Sequence, residues 1–271
     1  EEEFDVALDL AYAQMKEIFY APLTLTFGRQ DLWFGRGFIL GLNYQDPNNS
    51  IAANEFTAVT GFDAVRATLD FEPWTLDFVF SNIDENSHDS ERDIHFWFAN
   101  VNYQFAEYNA EWEGYAMIHI DKATVGGAPG VAGTVDLPRT APDNLTNTLG
   151  TRAQFDPIQQ ITLGGEVAIQ TGDYFLNGSA VERERQAFAM ELFGEYRWDY
   201  VWKPMAGLQY VHFSGDDGLA GTGDYEGWNG LFRGSVYGDI RDWQQVFYAT
   251  ALVSDQAAGT NQKHFAIYGS L

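Results

Sequence analysis

The sequence contains no cysteine. Neither a disulfide framework nor a thiolate metal site can therefore be built from it. Basic residues are scarce: 15 Lys and Arg stand against 39 Asp and Glu, for a formal net charge of −24. Such a balance excludes nucleic acid as an expected partner, because phosphate binding needs basic clusters. No apolar run approaches the roughly 18 residues of a membrane helix. The five histidines (His88, His95, His119, His212, His264) are scattered, with no HExxH spacing. No G-x-S-x-G nucleophile elbow is present. The glycine-rich GGAPGVAG at 126–133 has no lysine and no strand-to-helix setting, so it reads as an external loop rather than a phosphate cradle. No enzyme chemistry and no cofactor are expected.

Aromatic residues and glycine, by contrast, are abundant: 21 Phe, 14 Tyr, 8 Trp and 27 Gly. Convincing amphipathic helices are hard to find, and segments of period two recur from end to end. Val65, Ala67, Leu69 and Phe71 alternate with Arg66, Thr68 and Asp70. Trp74, Leu76, Phe78 and Phe80 alternate with Thr75, Asp77 and Ser81. The same rhythm holds for 4–12, 97–105, 111–120, 161–170 and 190–198, and further strands are expected near 148–156, 201–213, 244–254 and 262–271. With the strand that opens at Pro22, the count is about twelve.

The connections alternate in kind. Short ones (Phe19 to Pro22, Glu72-Pro73, Ala106-Glu107, Asp156-Pro157, Asp199-Tyr200) take turns with long polar ones near 31–61, 82–95, 121–147, 171–186 and 214–243. All short turns therefore lie at one end of the sheet. Aromatics crowd that end: Phe19, Tyr20, Phe71, Trp74, Phe105, Tyr196, Trp198, Tyr200 and Trp202. Tyr and Trp favour the bilayer interface, where one part of the ring is apolar and another wet. A soluble antiparallel sheet needs neither regularity. The expected fold is all-β: a transmembrane antiparallel up-and-down β-barrel with short periplasmic turns and long extracellular loops. The whole chain, 1–271, is expected to be one barrel domain. It opens EEEFDVALDL, already in strand alternation. That suits a chain whose leader has been removed, or part of a larger barrel.

If the apolar face meets lipid, the polar face lines a lumen. The expected pore-lining acids are Asp5, Asp9, Asp70, Asp77, Glu111, Glu113, Asp156, Glu166, Glu191 and Glu195. The expected bases are Arg66, Arg152, Arg197 and Lys203. Acids outnumber bases by roughly two to one on this face. Arg66, Arg152 and Arg197 have two readings: a basic ladder opposite an acidic wall, or cross-strand ion pairs holding the wall together. The stretch PLTLTFGRQDLWFGRG (22–37) carries two further arginines, Arg29 and Arg36, as possible pore or interface residues. Arg29 falls on the apolar face, either snorkelling at the outer membrane edge or turned into the lumen by a bulge at Gly28. Trp33 and Phe34 suit an outer aromatic girdle, with Gly35-Arg36-Gly37 starting the external loop. The acidic loops at 82–93 and 214–227 read as a solvated external surface, and no metal is expected. Calcium held through Asp216, Asp217 and Asp224 is the weaker alternative, since EF-hand spacing is lacking.

The stretch LAYAQMKEIFYAPLTLTFGRQDLWFGRGFILG, residues 10–41, resembles the alginate-export family of outer-membrane proteins. The features are a strand, a short turn with proline, and a second strand ending in Gly-Arg-Gln before a glycine-rich segment. FDAVRATLDFEPWTLDFVFSNIDEN (62–86) is similar to the hairpin that follows there, and YEGWNGLFRGSVYGDIRDWQ (225–244) to a later aromatic-glycine loop. The resemblance implies a monomeric barrel in the outer membrane of a Gram-negative bacterium, in contact with lipid and lipopolysaccharide. It also implies passage of an anionic polysaccharide with the help of periplasmic export partners. A polyanion channel calls for a basic lining. The acidic face instead suits a porin-like channel for small hydrophilic solutes. A non-conducting sheath or adhesive barrel is the third reading.

Overall fold

The computed structural model describes residues 10–17, 19–41, 61–84, 94–106, 109–121, 143–175, 182–216, 223–234 and 262–270. These form eleven strands in one sheet: β1 (Ala11–Lys16), β2 (Leu23–Gln30), β3 (Phe62–Asp70), β4 (Trp74–Asp84), β5 (Ile94–Phe105), β6 (Ala110–Asp121), β7 (Asn144–Ile158), β8 (Ile161–Phe175), β9 (Glu182–Arg197), β10 (Met205–Phe213) and β11 (Gln262–Ser270). Sheet order equals chain order, and each strand pairs antiparallel with the next: an up-and-down meander, with no helix among the described residues. The expected strand at 244–254, like Asp5 and Asp9, lies outside the described residues.

Alternation decides the faces. Phe27, Val65, Phe78, Trp97, Ile118, Leu149, Val167, Ile169, Leu192 and Ile267 are exposed on the outer face. Asp77, Asn100, Glu113, Thr148, Arg152, Glu166, Gln170 and Glu191, each of opposite parity on its strand, are buried on the inner face. The polar face is thus the enclosed one. Several strands run further than expected: β7, β8 and β9 reach beyond the predicted ends at 148, 170 and 190. Their distal residues, such as Asn144, Tyr174 and Arg185, still have inner-face neighbours to pair with.

The sheet is strongly curled. Phe34 lies under the Arg66 guanidinium of β3, 4.9 Å from ring centroid to Cζ, while Arg36 reaches Glu195 of β9. Six inter-strand steps separate β3 from β9, which is about 29 Å in a flat sheet at ~4.8 Å per step. Two residues of chain and two side chains span that only if the strands wrap around them.

Close fit on the concave side comes from aromatics laid over glycines directly opposite. Tyr115 pairs with Gly150, Phe193 with Gly164 and Tyr268 with Gly207. In each pair the ring occupies the space where a Cβ would stand. The missing side chain lets the ring lie flat on the neighbouring strand, as in designed sheets where an aromatic covers a glycine.

Candidate functional site

The interior has two tiers. Toward the long connections the inner face is apolar, with Phe62, Val79, Phe96, Phe98, Met117, Val211 and Phe213 all buried. They pack on two inturned connections, through Phe38, Ile39 and Leu40 from one and Trp228, Leu231 and Phe232 from the other. Phe232 meets Phe62 and Phe96, while Phe38 stacks on Phe213 with centroids 5.5 Å apart. The two connections also pair with each other. Gly41 N donates to Phe232 O at 2.7 Å, and Leu40 and Phe232 form a parallel bridge. Gln170 of β8 pins the second connection by donating to Asn229 O (2.9 Å) and accepting from Asn229 N (2.8 Å).

Below this lies the charged tier. Cross-strand register places Glu113, Arg152, Glu166 and Glu191 in one row over β6 to β9. Arg152 Nη1 donates to Glu113 Oε2 at 2.8 Å and Nη2 to Gln154 Oε1 at 2.5 Å; Glu111 lies 3.5 Å from Arg152. The Tyr115 hydroxyl donates to Glu166 Oε1 at 2.5 Å. Glu166 and Glu191 stand directly opposite each other, a like-charge pair that costs stability unless each is engaged elsewhere. Tyr115 engages the first; Arg36 and Gln209 engage the second. Arg66 pairs with Asp77 at 2.8 Å, and Thr68 donates to the same carboxylate.

Arg36 enters this tier from the first long connection. Its Nε donates to Glu191 Oε1 at 3.1 Å and its Nη1 to Glu195 Oε1 at 3.3 Å; Tyr268 donates to that same Glu195 oxygen at 2.8 Å. The guanidinium lies 4.0 Å over the Phe193 ring. Burial pulls the Arg36 pKa down, but Glu191, Tyr268 and Glu195 outweigh that and leave it raised. Gly35 and Gly37 have φ of +55° and +74°, a region that non-glycine residues enter only at a cost. A Cβ on Gly35 would stand 2.8 Å from Glu113 Oε2 and 3.0 Å from Arg152 Cδ. Gly35 thus lets the backbone press against the Glu113–Arg152 pair of β6 and β7.

Several expectations are corrected. Gly35-Arg36-Gly37 does not start an external loop: the segment folds inward because its apolar residues, Phe34, Phe38 and Leu40, find partners only inside. Phe34 packs on Phe98 rather than in an outer girdle, with centroids 4.6 Å apart. Lys203 is exposed in the turn between β9 and β10 at φ +41°, since β10 begins only after Pro204. Asp70 is exposed at the end of β3, where it accepts from Glu72 N at 3.4 Å. Arg66, Arg152 and Arg197 form no separated ladder. Each is paired with a nearby carboxylate: Asp77, Glu113 and Glu195.

Arg29 stays on the outer face, paired in register with Asp63 through bonds of 3.0 and 2.6 Å. Pairing with β3 continues unbroken through Gly28, so no bulge turns Arg29 inward. At the long-connection end, Asp216 accepts both Arg183 Nη atoms at 2.8 Å, and the Asp224 carboxylate accepts from Gln186. Asp217 lies outside the described residues. Burial pushes the Tyr225 phenol up. Sequence reasoning missed the apolar tier. Its signal was IHFWFAN (94–100), where both faces are apolar at the end far from the short turns.

No curated protein matches the chain. A family profile described as "Alginate export" matches residues 2–245 of this curled, all-antiparallel meander. The chain belongs to the alginate export family, a family of transport proteins.

Proposed function

We propose that this chain forms the wall and constriction of an outer-membrane channel that passes hydrophilic solutes, with segment 31–41 as the narrowing. The observation that carries this reading is the inversion of faces. Phe78, Trp97, Leu149, Ile169 and Leu192 are exposed, while Glu113, Arg152, Glu166 and Glu191 are enclosed. Each large apolar side chain left in water forgoes about 1.5–3 kcal/mol relative to burial. A bilayer removes that penalty and places the aromatics of the short turns at its interface. Around the bore, the carboxylates of Asp77, Glu111, Glu113, Asp156, Glu166, Glu191 and Glu195 outnumber the guanidiniums of Arg36, Arg66, Arg152 and Arg197. A surplus of fixed negative charge favours cations and neutral solutes over polyanions.

Reconstitution into planar bilayers under a salt gradient tests this. The expected result is discrete conductance with a reversal potential on the cation side. Anion preference overturns the selectivity; absence of conductance favours a sheath or adhesive barrel. Export of an anionic polysaccharide, together with periplasmic partners, is the second reading, and the family match favours it. On that reading Arg36, Arg66, Arg152 and Arg197 would contact the polymer, and the acids would keep it from binding too tightly to leave. In either case the channel is proposed to work as a monomer in contact with lipid and lipopolysaccharide, with no catalytic step.

A further inference from the structure

Arg185 on β9 is the most deeply enclosed arginine among the described residues, at 2% exposure. Its Nη1 donates to Gly227 O at 3.1 Å, whereas Nε and Nη2 are buried with no hydrogen-bond partner among the described residues. Its nearest charge-compensating neighbours there are aromatic. The guanidinium lies 5.4 Å from the Tyr174 ring and 5.0 Å from Tyr225, and those two rings are stacked 3.6 Å apart. Cation–π contact offsets part of the cost of burying the charge and satisfies no N–H group. Two unpaired donors on a desolvated cation are a large remaining penalty.

A second orphan faces the same space. His119 on β6 is equally buried, and neither of its ring nitrogens has a partner among the described residues. Register puts His119 opposite Thr146, Thr146 opposite Gly172 and Gly172 opposite Arg185, all on the inner face. Three inter-strand steps amount to roughly 14 Å, and the concave curl brings the side-chain tips closer than that. Between His119 and Arg185 this row carries only the small Thr146 and Gly172, which has no side chain. Gly172 sits at φ +133°, and a Cβ there would run into Leu145 O, so glycine is required. The inturned connection roofs the row, with Asn229 on Thr146, Phe232 edge-on to His119, and Gly227 on Arg185.

We propose that Arg185 and His119 hold one small monovalent anion of chloride size, as a structural counter-ion beneath the 223–234 connection. The donor set contains a single positive charge, so one monovalent anion neutralises it and a dianion would reverse the imbalance. The 223–234 connection covers this row through Asn229, Phe232 and Gly227. The site therefore differs from the proposed solute path, and its test does not depend on conductance.

The test follows thermal unfolding of the purified protein in detergent, with sodium chloride replacing sodium gluconate at constant ionic strength. The expected result is a saturable rise in Tm, roughly 5–10 °C at a hundred-fold excess over Kd. Arg185→Met abolishes the rise. Should that variant not fold, His119→Phe shifts the chloride midpoint upward about tenfold. Crystals grown in bromide show an anomalous peak within hydrogen-bonding reach of Arg185 Nη2. Equal unfolding in chloride and gluconate, or a water or a carboxylate of the chain at that position, overturns the proposal.

Discussion

Arg36 lies in a connection between strands, yet its Nε hydrogen-bonds Glu191 on β9, 155 residues away in sequence, at 3.1 Å. Two residues earlier, Phe34 lies under the Arg66 guanidinium of β3, 4.9 Å from ring centroid to Cζ. The segment therefore crosses the enclosed space and is held on both sides. Arg36→Ala removes the tether on one side. The expected outcome is a several-fold rise in single-channel conductance and faster proteolytic cleavage within 31–41, with both readouts taken on the same preparation. Because the Arg36 pKa is raised on folding, the contact is complete below the arginine range and is lost only as pH rises through it. Titrating from pH 7 to pH 10 should therefore leave the tether, and the conductance it sets, unchanged on the arginine's account.

Arg152 and Glu113 form an enclosed pair with side chains only 5% and 7% exposed. Arg152→Met strands the carboxylate and should cost about 3–5 kcal/mol, the range for breaking a buried pair from one side. Adding Glu113→Gln should return most of it. Urea unfolding of the two variants in detergent measures the difference. A double variant no more stable than the single one would show that the pair contributes little beyond packing.

The ring of Tyr115 occupies the place a Cβ on Gly150 would take. Gly150→Val should displace it, break the hydroxyl bond to Glu166 and lower stability by about 1–3 kcal/mol, as overpacking does. Tyr115→Ala in the Gly150→Val background relieves the clash, so the two changes together should cost less than their sum. Thermal midpoints of the four proteins complete the cycle.

Arg29 and Asp63 lie on the outer face, with side chains 31% and 55% exposed. Arg29→Ala should change stability by no more than about 1 kcal/mol, as for exposed ion pairs. Conductance and ion selectivity should match the parent protein. A changed reversal potential would place Arg29 in the solute path and contradict its position on the outer face.

The meander, its two kinds of connection and the faces of most strands were legible because a half-enclosed strand writes its environment with period two. Asp77, Glu113, Glu166 and Glu191 could be placed inside on that ground alone. The pattern failed where the inner face changes character along one strand. Phe96 and Phe98 share a face with Asn100, and Phe62 and Ala64 share one with Arg66. Around Phe96, Trp97 and Phe98 both sides are apolar, and the alternation that reports orientation is lost. What makes them apolar is a long-range contact with Phe38 and Phe232, and no local spacing encodes it. The inward fold of the segment that carries Arg36 was hidden for a similar reason. A glycine-flanked arginine after a strand looks like an exit to solvent unless the residues beyond it have somewhere apolar to go. Arg29 was undecided until the partner opposite it, Asp63, was known.

The inturned 31–41 segment also bears on how such proteins can diversify. The strands owe their register to aromatic–glycine pairs and to carboxylates matched with guanidiniums close by, so the wall tolerates little change. The segment proposed to narrow the bore is joined to β2 at one end and meets the wall through side chains such as Phe34, Arg36 and Phe38. Rewriting that handful of residues, with Arg36 kept against Glu191, would alter what passes while the strand pairing stays in place. Among relatives, solute preference should then travel with this cassette when it is grafted from one scaffold to another, and stay behind when only strands are exchanged.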